Sequence, residues 1–108
     1  MKILKFLLIS FFVSITISVN TFADEAKMKK GLEIFNETAG CAACHVLKAA
    51  GSVGNIGPNL DTVSMTIESV TDMVTNGLGV MPAFGEGEIL TKEEIDIVSY
   101  YVVNAAGK

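Results

Sequence analysis

Arginine and tryptophan are absent from this 108-residue chain, histidine occurs once, and cysteine and proline occur twice each. Without arginine, and with eight lysines that form no basic patch, the chain lacks the charge that neutralises a phosphate backbone, which excludes nucleic acid as a partner. A structural zinc site needs four ligands in tetrahedral array, and no second Cys/His pair exists to complete one. Strands do not alternate with helices along the chain, so the βαβ context of a thioredoxin-like dithiol is missing. Repeats, low-complexity stretches and interdomain linkers are lacking too.

Only one long hydrophobic run is present, and it stands at the start. Lys2 and Lys5 precede an apolar stretch from Phe6 to Val19 that is broken only by Ser and Thr, and Thr21-Phe22-Ala23 ends on a small residue. At about 1.5 Å per residue this stretch reaches roughly 21 Å, short of the ~30 Å a bilayer core requires. Residues 1–23 therefore read as a secretory signal peptide cut before Asp24, not as a permanent anchor. No second hydrophobic span follows Phe22, so the mature chain is expected to leave the membrane. Residues 24–108 form one small domain with six lysines against twelve carboxylates, a formal charge of −6. A domain of that size buries a marginal core, and a covalent group at its centre would help to fill it.

What the chain does have is Cys41-Ala42-Ala43-Cys44-His45, which uses both cysteines and the only histidine in five residues. This is the spacing at which two thiols add across the two vinyl groups of a porphyrin, with the following histidine held against the iron as its proximal ligand. The motif points to one covalent haem c on Cys41 and Cys44, with His45 on the iron; a structural disulfide across the short loop is the remaining alternative. Export agrees with that assignment, because haem is attached to such motifs outside the bacterial cytoplasm.

Three helical segments organise the rest. Residues 24–36 show mixed helical spacing through Ala26, Lys27, Lys30, Ile34 and Phe35, with acids near the start. Residues 66–76 put Ile67, Val70, Met73 and Val74 on one face, with Gly77 as a stop. Thr91-Lys92-Glu93-Glu94 is a capping box, and Ile95, Val98, Tyr101 and Val102 form the stripe that follows it. Residues 104–108 read as a short polar tail. Between the motif and the second helix, the glycines and proline of residues 51–60 mark loop backbone rather than helix or strand. Residues 77–85 form a second loop, rich in Val, Met and Phe, that needs an apolar surface to face.

The other axial position of the iron has four methionine candidates, Met28, Met65, Met73 and Met81, or stays open. Met28 and Met73 sit at apolar helical spacing, where methionine commonly serves packing. Met81 differs, because Pro82 bars it from helical backbone and stiffens the loop that carries it.

These residues resemble the small class I c-type cytochromes over essentially the whole mature chain. The resemblance rests on Gly31 and Phe35, Cys41-Ala42-Ala43-Cys44-His45, Gly57-Pro58-Asn59-Leu60, Met81-Pro82-Ala83-Phe84 and Tyr101. It is greatest to the short photosynthetic and bacterial respiratory carriers. It implies an all-α fold, with three or more helices wrapped around one covalent haem, and a crossing of the first and last helices near Gly31, Phe35 and Tyr101. It further implies His45 and Met81 as the iron ligands and the Pro58 carbonyl as acceptor of the imidazole N–H. Thr38-Ala39-Gly40 departs from the shortest members by lengthening the step from Phe35 to Cys41. The implied function is a periplasmic carrier, not an enzyme, which docks transiently as a monomer on larger redox proteins or membrane complexes. A cytochrome subunit of a periplasmic dehydrogenase or sulfur-oxidising enzyme is the alternative. A sensor or peroxidase-like role would need an open iron position and a distal His, Arg or Trp, which the chain lacks.

Overall fold

The computed structural model describes residues 19–108. Most of the expected leader therefore lies outside the described residues. Helix α1 (Val19–Glu33) runs through the expected cleavage point and continues as a π-helical turn over Ile34–Thr38. The first helical segment thus extends past residues 24–36 at both ends. The widened turn is closed by Ala39 N–H donating to Ile34 O at 2.9 Å. It takes up extra chain while keeping Ile34 and Phe35 both fully buried, which accounts for the long step from Phe35 to Cys41.

Residues 51–60 are not loop throughout. Strand β1 (Val46–Leu47) pairs antiparallel with β2 (Ser52–Val53), Val46 opposite Val53 and Leu47 opposite Ser52. A 3₁₀ turn at Lys48–Ala50 and Gly51, at φ 70°, reverse the chain between them. Ser52 secures the pair with its side chain: its hydroxyl accepts from Leu47 N–H at 2.9 Å and lies 3.3 Å from Leu47 O. Two residues per strand is too short for alternation to be visible in the sequence.

Helix α2 (Ile67–Asn76) starts at Thr66, whose side chain accepts from Ser69 N–H while the Ser69 hydroxyl caps Thr66 in return. It stops at Gly77, as the sequence indicates. Val70 and Val74 enter the core, whereas Ile67 and Met73 flank that face and stay partly exposed. Helix α3 (Lys92–Ala105) opens with the Thr91/Glu94 capping box and buries Ile95, Val98, Tyr101 and Val102. The helix also continues through Asn104 and Ala105, and Ala105 is buried, so the polar tail is shorter than residues 104–108.

The core forms where α1 lies across α3 and α2 packs beside it. At the crossing, a Cβ on Gly31 would overlap the Cβ of Tyr101 and stand 2.8 Å from its Cγ. The Phe35 and Tyr101 rings meet there at 6.1 Å and 57°, a tilted pairing of the kind that adds about 0.5–1.5 kcal/mol beyond burial. The small residue and aromatic pair implied by the resemblance thus hold the two terminal helices together. Among the described residues, no helix is long and apolar enough to cross a membrane.

Candidate haem-attachment site

The motif begins where Gly40, at φ 67°, turns the chain out of the π-helical segment into a 3₁₀ turn over Cys41–Ala43. The Cys41 carbonyl accepts from both Cys44 N–H (3.1 Å) and His45 N–H (3.0 Å). Residues three apart eclipse on such a turn, so the two thiols are presented on one side. Both cysteines are partly buried and not joined to each other. Burial pushes the Cys41 thiol up to about 11, so it stays protonated at neutral pH. A redox dithiol needs the opposite shift, toward thiolate, and the structure does not favour that chemistry.

His45 is held from the other side of the site. Its Nδ1 lies 2.7 Å from the Pro58 carbonyl oxygen. A carbonyl only accepts, so Nδ1 carries the proton and the lone pair is left on Nε2. That is the tautomer a histidine needs to bind a metal through Nε2. The 54–60 segment is fastened to the motif by Gly57 N–H to Cys44 O at 2.8 Å and Leu60 N–H to Val46 O at 3.0 Å. Gly54 and Gly57 run too close for side chains: a Cβ on Gly54 would come within 2.7 Å of Ala43 O, and one on Gly57 would strike the His45 ring.

Met81 belongs to a separate loop. A tight turn pairs it with Leu78, Met81 N–H to Leu78 O at 3.0 Å and Leu78 N–H to Met81 O at 3.2 Å, with Gly79 at φ 58° inside the turn. Gly77 lets the loop fold back closely, since a Cβ there would stand 2.8 Å from Ala83 N. Met81 is partly buried against the core, as are Met28 and Met65, while Met73 is exposed on α2. The structure thus joins Cys41, Cys44, His45 and Pro58 into one unit and sets Met81 on a hairpin of its own beside the same core.

Large apolar side chains stand exposed on the 51–60 and 77–85 loops. Val53, Ile56, Leu78 and Val80 are 85%, 68%, 70% and 87% exposed. Two thiols, an oriented imidazole and loops that expose apolar side chains suit a flat apolar group with a metal at its centre. A depression of about 400 Å³ between α2 and α3, bordered by Thr71, Leu90 and Ile95, shares no residue with this site.

Two features escaped the sequence reading. Gly54 was legible as a loop residue only, and Gly57 only as part of the Gly57-Pro58-Asn59-Leu60 resemblance, although both run close against the motif. Asp61 also binds the site's surroundings, accepting from Lys48 N–H and Gly107 N–H, each at 2.9 Å.

Comparison with known proteins agrees with this geometry. Residues 26–102 match the family described as cytochrome c oxidase, cbb3-type, subunit III. Cytochrome c6 of Gracilaria tenuistipitata var. liui is 36% identical over 106 residues, covering 91% of this chain and 93% of the relative. Cytochrome c6 of Pyropia yezoensis is 36% identical over 111 residues, covering 95% and 91%. The crystal structure of the c-type cytochrome SorU from Sinorhizobium meliloti superposes with a TM-score of 0.72 at 50% identity, over 78% of this chain and 95% of that one. With both thiols on one face of a 3₁₀ turn, the imidazole oriented, and relatives matched over most of their length, the chain belongs to the small class I c-type cytochromes and is an electron-transfer protein of the covalent haem c type.

Proposed function

We propose that Cys41 and Cys44 hold the porphyrin, that His45 and Met81 are the two protein ligands of its iron, and that Pro58 orients His45. The observation that carries this reading is the 2.7 Å contact between His45 Nδ1 and the Pro58 carbonyl, which leaves Nε2 as the free donor. The haem supplies a one-electron change of its iron. The chain's own residues supply the conditions for that change to be fast. Pro58 keeps the imidazole in one tautomer and raises its basicity. The Leu78–Met81 turn and Pro82 stiffen the loop that presents the thioether, so little of the protein need rearrange between redox states. A thioether ligand favours the reduced form and a raised potential.

The carrier works in the periplasm after its leader, residues 1–23, is cut before Asp24. One observation supports that cut. In the uncut chain Asp24 and Glu25 lie inside α1, whereas after cleavage they begin it, where acids are favoured by the helix dipole. As a monomer, it meets larger redox proteins through the apolar rim of Val80, Pro82 and Ala83 with Ala42 and Ala43; Phe84, on the same loop, turns into the core and takes no part. Such contacts stay small, below about 1,200 Å², so that the partners separate after each transfer.

Met81→Ala is the decisive variant. Oxidised wild type should show the weak long-wavelength charge-transfer band of methionine–iron coordination, and Met81→Ala should lose it and lower the potential. Met73→Leu, altering an exposed methionine, should change neither. Retention of the band in Met81→Ala would remove Met81 from the iron. Gel filtration of the natively expressed protein in moderate salt tests the transient docking. A stoichiometric complex that survives it would make the chain an enzyme subunit instead.

A further inference from the structure

Five glycines of the described residues, Gly40, Gly51, Gly77, Gly79 and Gly107, stand at positive φ, where side chains are strained. Gly57 does not. Its φ lies outside that range, so left-handed backbone does not explain a glycine there. Proximity does. A Cβ on Gly57 would overlap His45 Cε1, with Nδ1 at 2.8 Å and Nε2 at 2.9 Å. Near-equal short distances to both nitrogens put that position over the face of the ring. A position off the Cε1 edge, in the ring plane, would stand clearly farther from both.

We propose that Gly57 is a positioning residue that sets the plane of the His45 imidazole. The inference rests on the reading of His45 as the proximal iron ligand and deepens it. Consecutive residues then impose two different constraints. The Pro58 carbonyl fixes the direction of Nδ1–H, and the Gly57 backbone blocks rotation of the ring toward its own side. Gly57 cannot withdraw freely, because its N–H is tied to Cys44 O at 2.8 Å, inside the motif. A methyl group at this position must either turn the ring or push the 57–58 segment outward. Both lengthen the Nδ1–H···O bond, and an imidazole with a weaker partner is a less basic ligand. The oxidised iron then loses stabilisation, so the potential should rise.

The test compares Gly57→Ala with Gly31→Ala in the mature haem protein. A Cβ on Gly31 is as crowded, overlapping Tyr101 Cβ and 3.2 Å from Ile97 O, but lies at the α1–α3 crossing. Gly31→Ala should lower Tm and leave both the potential and the low-spin EPR spectrum of the oxidised protein unchanged. Gly57→Ala should shift the EPR g-values, which report the orientation of the axial imidazole, and raise the potential. If Gly57→Ala lowers Tm with potential and g-values unmoved, the glycine only fills space and the inference fails. If that variant does not mature, NMR of reduced wild type decides, because the Gly57 Hα protons should show strong NOEs to His45 Hε1. Absence of those NOEs overturns the inference equally. Failure of the ligand reading looks different: His45→Ala would keep the wild-type low-spin spectrum.

Discussion

Ser99 Oγ and Tyr101 Oη are buried with no hydrogen-bond partner among the described residues. Both are on α3, and burial pushes the Tyr101 phenol above its ordinary value. Removing an unpartnered buried hydroxyl costs no bond and relieves its desolvation. Ser99→Ala, which also improves helix propensity, should raise stability by about 1 kcal/mol in denaturant unfolding. Tyr101→Phe should be neutral or stabilising, since the ring contact with Phe35 is kept. A loss in both variants would mean that the hydroxyls are bonded to water. Asp61 is the opposite case, a carboxylate accepting from two backbone N–H groups, Gly107 and Lys48, which lower its pKa. A depressed folded value means that the clamp stabilises fully above the ordinary carboxylate value of 3.8 and is lost as pH falls below it through the folded value. Asp61→Asn should therefore melt below wild type at neutral pH, and the gap should close in acid. A gap independent of pH would show that ionisation of Asp61 is not what holds the tail. Nothing in the sequence around Asp61 indicated this role, since Gly107 is 46 residues away.

The elements differ in how far local residues determine them. The start of α3 is written in Thr91 and Glu94, and both halves of that capping box form, with Glu94 N–H to Thr91 Oγ1 at 3.2 Å and Thr91 N–H to Glu94 Oε1 at 3.0 Å. The α2 cap uses Ser69 in place of Glu, a weaker signature of the same device. The π-helical turn was invisible because its i→i+5 spacing leaves no sequence periodicity of its own over five residues. It exists because burying Ile34 and Phe35 against α3 outweighs regular helix geometry. The α1–α3 crossing makes a prediction of sign. Glycine to alanine inside a helix normally gains roughly 0.5–1 kcal/mol. Gly31→Ala should instead lose about 1–3 kcal/mol, because its methyl overlaps Tyr101 and approaches Ile97 O to 3.2 Å. Thermal melts measure it, and a stabilised variant would mean that the helices separate there easily.

Across the whole molecule, acids outnumber lysines whether or not the leader is counted, with a net −4 for the full chain. That field extends about 8 Å at physiological ionic strength and less at high salt. Electron exchange with small inorganic complexes should therefore depend on salt in opposite directions. The rate with a cationic oxidant should fall as salt rises, and the rate with an anionic one should rise. Stopped-flow traces of the mature protein test this directly. Identical slopes for the two reagents would show that the charge around the site of electron exchange differs from the net charge.

The covalent attachment of haem was legible in the sequence alone, because it depends on a few side chains at fixed short spacing. Cys41, Cys44 and His45 sit within one turn, and no folding is needed to bring them together. The helices with strong caps and stripes were legible for a similar reason, as their signals are local. Relations between distant segments were decided only by tertiary structure. The β1–β2 hairpin, the clamp from Asp61 to Gly107 and the placing of Gly57 over the His45 ring each join segments whose contact depends on how the chain packs. Gly57 shows the difference most sharply: its φ is not in the left-handed region, and the imidazole nitrogen 2.8 Å from its would-be Cβ explains why no side chain stands there.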